Sequence, residues 1–118
     1  MIATLRMLLS ALAAQLMGTV REVEANSTVA VVKVQALIRV MDFVTAAIFA
    51  AKRGNDTPAE NEQILAQLES QLTAFERDNR TLVARGAHQA EARHEIAAGA
   101  LAQLRAVSFA AQVEEMTS

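Results

Sequence analysis

Leu5, Leu8, Leu9, Leu12, Leu16, Val20 and Val23 recur at three- and four-residue steps, which places them on one stripe of a helix running from about residue 3 to 24. Arg6, Ser10, Gln15, Arg21, Glu22 and Glu24 lie largely off that stripe. Asn26, Ser27 and Thr28 then supply side chains that cap the start of a following helix.

That second helix, about 28–53, is patterned differently. Val29, Val31, Val32, Val34, Leu37, Ile38, Val40, Met41, Phe43, Val44, Ile48 and Phe49 cover nearly its whole circumference. A helix apolar all round is buried in a core, in an interface or in lipid. The stretch 29–51 is long enough to span a bilayer. Lys33, Arg39 and Asp42 fall inside it, however, and each is costly near a bilayer centre, although Arg39 and Asp42 are spaced to pair. Burial between protein helices is the favoured expectation.

The clearest break lies at 54–57. Gly54 is expected to end the helix in the left-handed conformation, with Lys52 and Arg53 complementing the dipole. Thr57-Pro58-Ala59-Glu60 reads as a cap, a proline at the first helical position and a capping box. The third helix, about 58–85, carries a seam of Leu65, Leu68, Leu72, Phe75, Asn79 and Leu82 at alternating steps of three and four, with Asn79 as a polar interruption that fixes register or partner choice.

Around Gly86 two readings compete. Ala87–Glu95 holds no large apolar residue, and the strong pattern resumes at Ile96, Leu101, Leu104, Val107, Phe109, Val113 and Met116. A turn at Gly86 gives a fourth helix, about 87–116, and a single-domain (1–118), all-α, up-down four-helix bundle. A kink there gives three helices with one long C-terminal helix. The turn is preferred because it yields four helices of similar length.

Composition supports the helical reading. Hydrophobic residues make up 53% of the chain and aromatics only 3%, alanine supplies about a fifth, and there are four glycines and one proline. That is too few turn residues for a sheet protein. The formal charge of −2 and the scattered arginines argue against a nucleic-acid partner. The absence of cysteine excludes disulfides, thiolate metal sites and cysteine nucleophiles. Residues 1–14 loosely imitate a secretory signal, but their apolar periodicity continues to Val23, so a core helix is expected. Asn26-Ser27-Thr28 also matches a glycosylation sequon, which carries weight only in a secreted chain.

Candidate chemistry is sparse. His88, Glu91, His94 and Glu95 have metal-site spacing, and Glu91-Ala92-Arg93-His94 reproduces the Glu-x-x-His step of di-iron bundles. A turn at Gly86 sets Glu91 beside Thr81 and Glu76 beside Ile96, so no carboxylate arrives where a metal needs it. No metal, no cofactor and no catalytic residue is therefore expected. The glycines at 18, 54, 86 and 99 stand alone, which excludes a phosphate loop, and the serines have no histidine partner.

The apolar excess of the first half decides the functional expectation. Residues 1–51 carry four basic and three acidic groups, against seven and ten in the rest. A helix greasy on all sides needs more cover than three neighbours provide. The expected role is a non-catalytic, cytoplasmic adaptor, assembly factor or regulatory subunit, forming a homodimer or binding another helical protein. Its interface is expected at Val32, Leu37, Val40, Met41, Val44, Ile48 and Phe49, with Leu65, Leu68, Leu72, Phe75 and Asn79. The alternatives are a membrane-associated protein using 29–51 and a subunit of a fibre or particle. A third comes from Leu72-Thr73-Ala74-Phe75-Glu76-Arg77-Asp78-Asn79-Arg80-Thr81-Leu82-Val83, which is similar to the Asn-and-Leu helix of flagellar export chaperones and implies a chaperone role.

Overall fold

Four helices follow one another in a computed structural model: α1 (Ile2–Glu24), α2 (Thr28–Arg53), α3 (Pro58–Ala84) and α4 (His88–Thr117). The structure describes the backbone of residues 1–24 and 27–117, and the side-chain surroundings of 1–23 and 27–109. The chain is an all-α four-helix bundle, with no strand among the described residues. Asn26 lies outside those residues, as do the side chains of Val113 and Met116. Short links make successive helices antiparallel.

The cross-section is a flattened rhombus. α1 packs along α2 and α3 along α4, while α2 and α4 face each other across the short diagonal and each meets the other three. α1 touches α4 only marginally and does not approach α3. It is the least covered helix. The core is built from Leu5, Leu8 and Leu12 of α1, Leu37, Val40, Val44 and Ile48 of α2, Leu68 and Leu72 of α3, and Ile96, Leu101 and Leu104 of α4.

Each helix end has a local cause. Ser27 caps α2 by accepting a hydrogen bond from the Ala30 N–H at 3.2 Å. Thr57 caps α3 by accepting from the Glu60 N–H at 3.2 Å. The reciprocal arm of the expected capping box goes elsewhere, because Glu60 Oε2 accepts from the Asn55 N–H at 2.7 Å. This also corrects the expectation for Gly54, which is extended (φ −85°, ψ 179°) rather than left-handed. The left-handed residue is Asp56 (φ 54°). Glu60 curls back over the turn, and a Cβ on Gly54 would lie 2.7 Å from its Oε2. A larger residue at 54 would therefore have to displace the Glu60 carboxylate, while the backbone φ at 54 makes no demand for glycine.

Gly86 decides the competition between turn and kink in favour of the turn. Its φ is +89°, the Gly86 N–H donates to the Val83 carbonyl, and the Ala87 N–H donates to the Leu82 carbonyl, both at 3.0 Å. That pair of bonds is a Schellman motif, which closes α3. α4 then starts without a Ser, Thr or Asp, the Ala90 N–H bonding to the Ala87 carbonyl at 3.0 Å. A Cβ at Gly86 meets no atom within 4 Å, so the cost of Gly86→Ala is purely conformational. We expect a loss of about 1–2 kcal/mol. Urea unfolding followed by circular dichroism measures it, with the midpoint falling and the slope unchanged.

Candidate functional site

Turning α2 through 100° per residue divides its apolar surface in two. Ala36, Leu37, Val40, Val44, Ala47, Ile48 and Ala51 share one face and are buried against the other helices. On the opposite face Val31, Ile38 and Phe49 are 42%, 48% and 56% exposed, in company with Gln35, Asp42 and Ala46. The helix that read as uniformly apolar is covered by its own chain on one side only.

The residues expected at an interface therefore fall into three groups. Leu37, Val40, Val44, Ile48, Leu68 and Leu72 are enclosed in the chain's own core. Val32, Met41, Leu65 and Phe75 are half-buried, the last three packed against that core. Phe49 alone of the apolar ones stands largely in solvent, with the Lys52 ammonium 5.8 Å from its ring centroid. Val31 and Ile38, which the sequence reading did not single out, stand there with it. The signal for them was present: Gln35, Arg39 and Asp42 mark the outward side of α2, and apolar residues sharing that side are the surplus.

Asn79 is only 3% exposed. Its Nδ2 donates to the Phe75 carbonyl at 2.8 Å, and its Oδ1 accepts from Arg93 Nε at 2.8 Å. It thus fixes the register between α3 and α4 inside the chain. His94 Nε2 meets Glu76 Oε1 at 2.8 Å, and Arg105 Nε donates to Glu69 Oε1 at 3.1 Å, extending the same antiparallel alignment. Glu76 accordingly faces His94 rather than Ile96.

The stretch from Ala87 to Glu95 packs inward more than its polarity suggested. Ala90 and Ala92 are 0% and 6% exposed, because a methyl group suffices where helices approach closely. Among the described residues no three His, Cys, Asp or Glu side chains converge on a point that could hold a metal. His94 is turned to α3, while Glu95 reaches Lys33 of α2 at 3.6 Å. A groove of about 330 Å³ separates the first turns of α2 and α4, lined by Val29, Val32, Lys33, Glu91 and Ala92 among others. Arg39 and Asp42 do not pair. The Arg39 guanidinium lies 5.5 Å and 5.8 Å from the ring centroids of Phe43 and Phe75, which meet edge to face at 6.4 Å. This stack joins α2 to α3 and holds the cation on the helix surface.

Fold and surface together define the class, a small all-α four-helix bundle with an apolar row left on the outside of its second helix. No family model matches the chain, and neither a curated protein nor a solved structure matches it.

Proposed function

We propose that this chain is a non-catalytic helical interaction protein that offers the outward row of α2 to another helix. The observation that carries this reading is the exposure of Val31, Ile38 and Phe49 on one helix face at 42%, 48% and 56%. Three large apolar side chains aligned at helical spacing are the pattern by which an amphipathic helix docks in a groove or against a second helix. Adaptor, assembly factor, regulatory subunit and export chaperone differ within this reading only in what the partner is.

The test is affinity capture from cells that naturally make the protein, comparing wild type with Ile38→Asp. A partner, or further copies of the chain, should accompany the wild type and fall at least about tenfold with the variant, since a charge buried against apolar contacts costs more than 1.4 kcal/mol. Equal recovery by both chains contradicts the reading.

A second reading has its own observation. α1 over Ile2–Val23 and α2 over Thr28–Arg53 are each long and apolar enough to cross a membrane, and only 22% and 39% of their most apolar stretches are buried. Core helices pass the same test, and Lys33 and Arg39 of α2 are engaged by Glu95 of α4 and Phe75 of α3. Co-sedimentation with lipid vesicles that survives Ile38→Asp would favour the membrane.

A further inference from the structure

We propose that the α1 side of the bundle rests on an anionic lipid surface, with the outer face of α1 in the headgroup region and Arg6, Lys52 and Arg53 against lipid phosphates. The proposal rests on the membrane reading above and narrows it: the folded bundle lies on the bilayer and no helix crosses it. It does not draw on Val31 or Ile38 of α2. Two observations lead there, one of apolar exposure on α1 and one of where the charges lie.

From Met7 to Val20 α1 carries no charged residue, a stretch about 20 Å long. Its inner stripe, Leu5, Leu8 and Leu12, is buried in the core. Its outer face runs through Met7, Ser10, Ala14 and Met17, all exposed, the two methionines by 69% and 61%. The outer face of a solvated helix is ordinarily charged, as α3 shows with Glu62, Arg77, Asp78 and Arg80 exposed. α1 is thus apolar inside, uncharged outside and the least covered helix of the four. Crossing a bilayer would require it to surrender Leu5, Leu8 and Leu12 from the core, whereas lying on one requires no rearrangement.

Charge is segregated in the same sense. Residues 1–53 carry six basic and three acidic groups, while 54–118 carry five and ten. No Asp or Glu occurs from residue 1 to 21 or from 43 to 53. Because α1 and α2 are antiparallel, the start of α1 lies beside the end of α2. Arg6, Lys52 and Arg53, all exposed, therefore gather at one end of the pair with no carboxylate on either helix near them. Met7 and Phe49 are exposed at that end too, and the Lys52 ammonium lies 5.8 Å from the Phe49 ring centroid. Cations beside uncharged, apolar surface match a bilayer boundary, where phosphates lie over acyl chains. Each such cation near an anionic surface strengthens binding about fivefold.

Co-sedimentation with vesicles tests this. The wild type should bind phosphatidylglycerol–phosphatidylcholine vesicles at least about tenfold more tightly than phosphatidylcholine alone, and about 0.5 M salt should release it. Alkaline carbonate should release it as well. Arg6→Gln/Lys52→Gln/Arg53→Gln should weaken binding at least about tenfold, and Met7→Ser/Met17→Ser should also weaken it. Both variants should keep their helical circular dichroism, since all five side chains are exposed. Ile38→Asp should bind lipid as the wild type does. Equal binding to the two vesicle types, or a triple variant that binds like the wild type, overturns the proposal. Binding that resists carbonate overturns it too but leaves the membrane reading standing as a crossing helix. No binding to either vesicle removes both.

Discussion

Leu37→Ala is expected to lower the unfolding free energy by about 3 kcal/mol, while Ile38→Ala, one residue along, costs less than about 1 kcal/mol in dilute solution. Leu37 is 0% exposed and sits among Leu5, Val40 and Leu72 in the single core cluster, where a truncated side chain leaves a cavity that close-packed neighbours fill only in part. Ile38 is 48% exposed and leaves no cavity. For a domain whose whole stability is about 5–15 kcal/mol, the first change moves the thermal midpoint by roughly ten degrees or more and the second by a few at most. Thermal unfolding monitored at 222 nm separates them. Similar losses at both positions would mean that the chain encloses both faces of α2.

Asn79→Ala is the second large effect. It removes the acceptor for Arg93 Nε at a position 3% exposed to solvent and takes away the donor to the Phe75 carbonyl. Leaving a partly buried guanidinium without its partner costs about 2 kcal/mol. The interaction is best read from a double-mutant cycle with Arg93→Ala, where the two losses should fall short of additivity by about 1 kcal/mol. Strict additivity would show that the pair does not lock α3 to α4. The lock has structural meaning because sliding α4 by one turn would break Asn79–Arg93, Glu76–His94 and Glu69–Arg105 together.

How much of this could be seen in the residues varies with the element. The break at 54–57 was legible because Thr57, Pro58 and Glu60 each act on their immediate neighbours, and such signals depend little on tertiary context. Gly54 itself misplaced the left-handed residue: it is extended, Asp56 takes the positive φ, and the Glu60 carboxylate folds back onto the Asn55 N–H between them. Gly86 was ambiguous in the sequence because its α4 start uses a backbone carbonyl instead of a capping side chain. Ala90 and Ala92 fell in a segment without large apolar residues, and alanine reports nothing about burial until its neighbour is known.

The candidate surface was legible in half. The excess of apolar residues in α2 was plain, but which of them the chain keeps for itself depends on the angle from which α1, α3 and α4 approach. Leu37, Val40, Val44 and Ile48 were expected at an interface and proved to be core. Val31 and Ile38 were passed over, although Gln35 and Asp42 flank them on the same side. Phe109, in the apolar pattern of the last helix, is 67% exposed, and Met7 and Met17 on the outer side of α1 are 69% and 61% exposed, so the surplus is not confined to α2.

One measurement examines both sides of α2 at once: the rate at which a thiol reagent modifies Leu37→Cys and Ile38→Cys chains, followed over a wide range of protein concentration. The position-37 thiol should be protected at least about a hundredfold at every concentration, because only unfolding exposes it. The thiol at 38 should react almost freely in samples of the chain alone. Protection at 38 that equals that at 37 at all dilutions would contradict the account.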